Sequence, residues 1–304
     1  MSHVVSLGSS QRRQLAWITV GALSLYLGMR WLPTGTNLSH MDFRLDPKSG
    51  NSIEFCDPAN PQFIPVVAAR SPVSIALSLP SPALAGQAVH AAVVMRTSTG
   101  KPVTPEDLMV VHTRRLHLLV VDPSLTDYQH VHPEPLGRPG EWGFSFTPRA
   151  GGTYRVFADF TPAATGRGLY ASADLAVAGP PAIAAAALPT QPATGSLRFS
   201  LVSVQQPVRV NQPIDLQFSV QRDDGAAIGL QPLMGAFAHL VAFDETRSGF
   251  AHLHPVEDEA KAPDANHPRL NFKLTIPKAG RYVIWAQINV AGEEQTVPFE
   301  IAVQ

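Results

Sequence analysis

Two segments of the chain each carry three histidines in one shared pattern, H-x4-D-x5-[FY]-x-H-x-H-P. The histidines are His117, His130 and His132 in the first segment and His239, His252 and His254 in the second. Residues i and i+2 of a β-strand point to one face, so each H-x-H pair is expected to lie side by side. Antiparallel pairing with the strand that begins at His117 or His239 would bring in a third imidazole. Three neutral imidazoles with an open fourth position suit copper or zinc.

The same histidines also have a structural interpretation. A histidine among apolar residues often bonds backbone carbonyls through its ring nitrogens, and Asp122 or Asp244 can cap the turn that follows the strand. Duplication of a domain would copy such a device as readily as a metal site. The sequence alone leaves both interpretations open.

The histidine segments lie inside a longer internal repeat, which indicates a duplicated domain. Aromatic residues recur downstream in both copies and are predicted core residues; they are Phe144, Tyr154, Phe157, Phe272, Tyr282 and Trp285. Short apolar runs broken by turn residues every eight to twelve positions are typical of antiparallel sandwiches. We therefore predict an all-β fold with two tandem immunoglobulin-like β-sandwich domains, residues 72–179 and 196–304. A Pro/Ala-rich linker, residues 180–195, joins them.

The N-terminal region predicts an uncleaved membrane anchor, and a cleaved signal peptide is the alternative, although RWLPTGTNLS is a poor cleavage site. Residues 15–32 are largely apolar, and a helix of about 18 residues would measure roughly 27 Å, close to the hydrocarbon thickness of a bilayer. Arg12 and Arg13 precede this segment, so residues 1–14 are predicted to stay in the cytoplasm. Residues 33–71 are predicted to form an extended tether. The sequence thus predicts a single-pass protein of the bacterial inner membrane with its bulk in the periplasm.

Composition excludes several functions. Charged residues make up 15% of the chain, with Lys+Arg 23 against Asp+Glu 24, so no net field would attract nucleic acid. One cysteine, Cys56, cannot form an internal disulfide or an iron–sulfur cluster. No nucleophile elbow, zinc-protease motif, P-loop or dinucleotide fingerprint is present, so the chain is not predicted to be an enzyme.

The segments HLLVVDPSLTDYQHVHPEP and WGFSFTPRAGGTYRVFADF resemble bacterial periplasmic domains of immunoglobulin-like or cupredoxin-like shape. YtkA-like and CopC-like proteins belong to this group, and the resemblance extends over both halves of the chain. It implies a periplasmic location, and it implies copper through the histidines of the H-x-H-P motif.

Two functions follow as expectations. The first is a non-catalytic accessory subunit that stabilises a large energy-transducing membrane complex, of respiratory or photosynthetic reaction-centre type, with a periplasmic cytochrome subunit among its partners. The low charge density of the chain suits surfaces buried against neighbours. The alternative is a membrane-tethered periplasmic protein that binds copper or zinc through the six histidines.

Overall fold

The computed structural model describes residues 8–31, 38–43, 61–182, 188–189, 191–257 and 261–304. Cys56 and most of the predicted linker lie outside these residues. The N-terminal unit, residues 1–37, and the unit formed by residues 38–304 are separate compact bodies. The second unit contains both copies of the repeat.

An α-helix, α1 (Ser9–Trp31), forms where the sequence predicts one. Its charge-free stretch, Leu15 to Met29, measures only about 22 Å at 1.5 Å per residue, and polar residues occupy the turns before it. No helix within the described residues is both long and apolar enough to cross a membrane. This finding corrects the prediction of a transmembrane helix over residues 15–32.

The first copy of the repeat folds into strands β1 to β9. They are β1 (Val73–Ser78), β2 (Ala83–Leu84), β3 (Val89–Thr97), β4 (Leu116–Val121), β5 (Tyr128–Val131), β6 (Glu134–Pro135), β7 (Glu141–Phe146), β8 (Gly152–Phe160) and β9 (Leu169–Ala178). One sheet has the order β1-β3-β7-β6, and the other has the order β2-β9-β8-β4-β5. Their facing sides enclose a core that includes Val93, Trp142 and Tyr154.

The second copy folds into strands β10 to β18. They are β10 (Ala193–Thr194), β11 (Leu197–Ser203), β12 (Pro213–Arg222), β13 (Leu230–Gln231), β14 (His239–Asp244), β15 (Phe250–Leu253), β16 (Arg269–Thr275), β17 (Gly280–Val290) and β18 (Glu293–Val303). One sheet has the order β10-β11-β12-β16, and the other joins β13, β17, β14 and β15, with β18 also paired to β17. Phe218, Phe272 and Tyr282 lie in its core. The prediction of an all-β chain with two β-sandwiches is therefore confirmed.

The two sandwiches pack against each other through the sheets that carry the histidine segments, which we call the inner sheets (β2-β9-β8-β4-β5 and β13-β17-β14-β15). Leu118 and Val120 of β4 point into the core of the first sandwich, whereas Leu119 and Val121 point the opposite way. That second face belongs to a separate cluster shared by both sandwiches. Its buried members are Ile64, Val66, Leu119, Val121, Leu125, Tyr128, Phe157, Tyr170, Val241, Phe243, Phe250, Val283 and Trp285. Two of the predicted core aromatics, Phe157 and Trp285, thus lie between the sandwiches and not inside one.

Two segments of the predicted tether, residues 33–71, are packed on the sandwiches. Leu38 and Phe43 enter the core of the first sandwich. Between them, Asp42 forms an ion pair with Lys101 Nζ at 2.6 Å. Farther along, Phe63 enters the core of the second sandwich. Ile64 exchanges backbone hydrogen bonds with Phe250 of β15 at 2.8 and 3.1 Å. The chain therefore touches both sandwiches before the first strand of the repeat begins.

The shared cluster predicts that the two sandwiches unfold together. Phe243 of the second sandwich contacts Phe157 and Tyr128 of the first, with ring centres 5.9 and 5.4 Å apart. We expect Phe243→Ala to lower the free energy of unfolding by about 3–5 kcal/mol in a single transition, measured by urea titration with fluorescence and circular dichroism. Val202→Ala, at an exposed site on β11, should change it by less than about 0.5 kcal/mol. Two separate transitions, only one of them shifted, would contradict a shared core.

Candidate metal centre between the inner sheets

The six predicted histidines meet at one end of the cluster between the inner sheets. On β4, His117 shares a face with Leu119 and Val121, so strand alternation points its ring out of the sandwich core and toward the interface. By the same alternation, His130 and His132 share a face with Tyr128 of β5. His252 and His254 share a face with Phe250 of β15. Each strand thus contributes apolar residues to the interface at one end and histidines at the other.

The first triad, His117, His130 and His132, has the spacing of ligands around one ion. One nitrogen from each ring lies within 4.8 Å of the other two. The ring centres are 5.2, 5.0 and 4.7 Å apart. Imidazoles bound at about 2.0–2.1 Å to one tetrahedral ion would have ring centres about 5 Å apart. The second triad, His239, His252 and His254, has equivalent distances of 5.6, 4.7 and 5.0 Å.

Hydrogen bonds on the outer nitrogens orient four of these rings. His117 Nε2 donates to the carbonyl of Val111 at 3.1 Å, and His239 Nε2 donates to the carbonyl of Leu233 at 2.8 Å. Because a neutral imidazole carries one proton, Nδ1 of each ring keeps its lone pair. His117 Nδ1 lies 3.1 Å from His130 Nε2 of its own triad, and His239 Nδ1 is buried without a hydrogen-bond partner.

The remaining outer bonds cross from one sandwich to the other. His130 Nδ1 donates to Gln287 Oε1 of the second sandwich at 3.0 Å, and His252 Nδ1 donates to Asp159 Oδ2 of the first at 3.1 Å. Asp159 lies opposite His117 in the β4–β8 register, and Gln287 lies opposite His239 in the β14–β17 register. Each sandwich therefore supplies the residue that orients a ligand of the other triad.

The inner nitrogens are buried without partners. Among the described residues, the buried nitrogens that lack a hydrogen bond include His132 Nε2, His239 Nδ1, His252 Nε2 and His254 Nε2. In the first triad, His117 Nδ1 and His130 Nε2 approach to 3.1 Å with their lone pairs facing each other. Buried acceptors without donors are unfavourable, and facing lone pairs repel. A metal ion at the centre of each triad would satisfy all of these nitrogens, so the residues present fit such an ion.

Burial keeps the rings neutral, which metal binding requires. Removal from water, followed by the neighbouring imidazoles, holds the pKa of His130 and of His252 well below the usual range. Burial lowers the pKa of His132 to about 3 and that of His239 to about 4. The pKa of Asp159 is raised, also mainly by burial. At neutral pH each triad therefore presents lone pairs and no positive charge.

Two cavities open on the histidines, and the smaller is lined by His117 of the first triad as well as by histidines of the second. His130 and His132 line a cavity of about 1060 Å³, and His252 and His254 line another of about 480 Å³. The cavities give a small ion access to the ligands.

Sequence reasoning located all six triad histidines but missed the residues around them. His112 lies beside the second triad, with its ring centre 3.7 Å from that of His254. It lies five residues before His117, where the second copy has Met234 five residues before His239, so the repeat itself contained the signal. Asp159 and Gln287 also occupy corresponding positions, five residues after Tyr154 and Tyr282, but only strand pairing and sandwich packing bring them to the histidines.

The family model described as a domain of unknown function (DUF8832) matches residues 71–178 and again residues 195–304. Each sandwich is thus one copy of that domain. No curated protein matches the chain.

Two solved structures are similar at low identity. The fibronectin(III)-like modules of Clostridium thermocellum CbhA share 11% identity, with 75% of this chain and 94% of that chain covered and a TM-score of 0.19. A DUF4785 family protein from Legionella pneumophila shares 10% identity, with 75% and 55% covered and a TM-score of 0.25.

The hydrogen bonds predict fixed tautomers in the metal-free chain. We expect His117 and His239 to carry their proton on Nε2, and His130 and His252 to carry theirs on Nδ1, because those atoms donate to oxygen acceptors. Nitrogen-15 chemical shifts of selectively labelled histidine at neutral pH distinguish the two forms. His267, which is exposed beside Asp264, provides a solvent-averaged reference signal. Averaged shifts for the four triad rings would contradict the described hydrogen bonds.

Proposed function

The chain belongs to the family described as a domain of unknown function, DUF8832, and from the two histidine triads that its two copies bring together we propose that it is a metal-binding protein. It holds one copper or zinc ion in each triad, between the two sandwiches. The observation that carries this proposal is the convergence of three ring nitrogens within 4.8 Å of one another at each triad, where one nitrogen of the first triad and three of the second are buried without a hydrogen-bond partner. Imidazole sets of this kind suit copper and zinc.

The structural interpretation of the histidines accounts for only part of the geometry. A histidine with a purely structural role would have both of its nitrogens satisfied by the protein or by water. Here the outer nitrogens of His117 and His239 are bonded to backbone carbonyls, as that interpretation requires. The inner nitrogen of His117 faces His130 Nε2 at 3.1 Å, an atom without a proton when His130 donates through Nδ1, and the inner nitrogen of His239 is buried without a partner. The outer bonds therefore serve to aim the inner nitrogens, as they do around bound metals.

An ion in either triad would also stabilise the contact between the sandwiches. The first triad depends on Gln287 of the second sandwich, and the second triad depends on Asp159 of the first. Because each complete site exists only when the sandwiches are packed, binding and packing are thermodynamically linked. The cavities beside the triads allow ions to enter and leave, which suits a protein that handles metals.

We predict that the purified chain binds two ions, measured by elemental analysis after equilibration with Cu or Zn and by calorimetric titration. His130→Ala with His132→Ala should remove one ion, and His252→Ala with His254→Ala should remove the other. His267→Ala is the matched control, since it removes an exposed histidine outside both triads. At one hundred times Kd, the ion should also raise the free energy of unfolding by about 2.7 kcal/mol, and the melting temperature should rise with it. Unchanged metal content after all four substitutions would refute the proposal.

A second prediction concerns the crossed hydrogen bonds. Asp159→Ala removes the acceptor of the His252 Nδ1 proton, so the affinity of the second triad should fall about tenfold to a hundredfold while that of the first is retained. Asp174→Ala is the control, because that carboxylate on β9 contacts Arg155. Calorimetry with one triad already disabled separates the two affinities. Equal losses in both variants would show that the loss is general and not specific to the crossed bond.

The accessory-subunit function stays a prediction, as do the bilayer, the periplasmic cytochrome partner and the inner-membrane location. Side chains of α1, among them Trp17, Ile18 and Leu25, are exposed within the N-terminal unit, which suits a helix that packs on other molecules. The immunoglobulin-like topology and the resemblance to YtkA-like and CopC-like domains also remain predictions. A metal-binding protein carried by a larger assembly is compatible with all of them.

A further inference from the structure

Two equivalent turns flank the triads. Val111 and Arg114 exchange backbone hydrogen bonds of 2.8 and 3.1 Å, and Leu233 and Ala236 do the same at 2.8 and 3.1 Å. The first carbonyl of each turn accepts the Nε2 proton of His117 or His239. The second residue of each turn has a positive φ, 49° at His112 and 51° at Met234. His112 and Met234 therefore occupy corresponding positions in the two copies.

Each turn extends toward the triad of the other sandwich. The ring centre of His112 lies 3.7, 6.2 and 6.3 Å from those of His254, His239 and His252. The ring of His112 therefore lies against that of His254, closer than the spacing of about 5 Å expected for two ligands of one tetrahedral ion, so its side chain would have to rotate to take the fourth position. Met234 in turn lines the cavity of the first triad, together with His130, His132 and Gln287. Like Asp159 and Gln287, each of these two residues belongs to one sandwich and lies on the side of the other sandwich's triad.

The two fourth residues have different metal preferences. A fourth imidazole completes a nitrogen-only set, which suits a divalent ion of borderline softness such as Zn(II). A thioether is a soft ligand, which favours Cu(I).

The acceptors of the two crossed hydrogen bonds indicate the same metal preferences. The carboxylate of Asp159 bonds a ligand of the second triad, where its negative charge favours the higher charge of a divalent ion. The amide of Gln287 is neutral and bonds a ligand of the first triad, where a monovalent ion needs no such charge.

We propose that Met234 and His112 are the fourth ligands, so that the first triad binds Cu(I) and the second binds Zn(II). This inference rests on the proposed function and adds the identity of each ion. It makes the chain a protein with two different metal sites on one duplicated framework.

The test uses the full chain with each metal alone: Cu(I) under anaerobic reducing conditions in competition with a Cu(I)-chelating dye, and Zn(II) by calorimetry. X-ray absorption of the Cu(I)-loaded chain should show a sulfur neighbour. Met234→Leu should abolish that signal and weaken Cu(I) binding at least tenfold, with Zn(II) binding unchanged. His112→Asn, which tolerates the positive φ, should weaken Zn(II) binding at least tenfold and leave Cu(I) binding unchanged. Met41→Leu is the control at an exposed methionine.

A second variant keeps the test independent of any loss of folding. Met234→His retains a ligand, so it should still bind metal while its preference moves from Cu(I) toward Zn(II) and nitrogen replaces sulfur in the absorption spectrum. If two ions bind but no sulfur signal appears and Met234→Leu changes nothing, this inference fails and the proposed function stands. If no ion binds to the unaltered chain, the proposed function fails as well.

Discussion

The packing of the two inner sheets against each other is the interaction on which the rest of the structure depends. It buries the second face of β4 and β14, where an ordinary sandwich strand would meet water. The apolar end of that face supplies the favourable free energy of contact, through residues such as Phe157, Phe243 and Trp285. The histidine end is then enclosed by the same contact. Desolvation of the imidazoles, their neutrality and the crossed hydrogen bonds all follow from it.

That enclosure is unfavourable for the imidazoles until their nitrogens find partners. The outer nitrogens find them within the protein, at the carbonyls of Val111 and Leu233 and at the side chains of Gln287 and Asp159. The inner nitrogens do not. The sheet packing thus holds lone pairs together that would separate in water, and an ion that accepts them relieves this unfavourable arrangement. Stabilisation of the interface and affinity for metal are therefore two measures of one coupled equilibrium.

The sequence predicted what depends on local spacing and failed where distant segments meet. The repeat, the two sandwiches and the side-by-side histidines follow from period-two alternation and could be predicted. Asp159 and Gln287 could not, because their role depends on strand pairing and on contact between sandwiches. One signal for that contact was present: LHLLVV in β4 has apolar residues on both faces, so a second layer had to cover it. In α1, mean apolarity suggested a membrane span, but the charge-free stretch is too short.

The crossed arrangement also explains how a duplicated domain can acquire two different sites. Here His112 and Asp159 of the first sandwich contact histidines of the second triad, whereas Gln287 of the second sandwich bonds His130 of the first triad and Met234 lines the cavity beside it. The three triad positions are identical in the two copies, which preserves the ability to bind an ion. The residues supplied by the other sandwich differ between the triads: the second receives an imidazole and a carboxylate, and the first receives a thioether and an amide. The charge and the softness of the two sites therefore differ in the same direction.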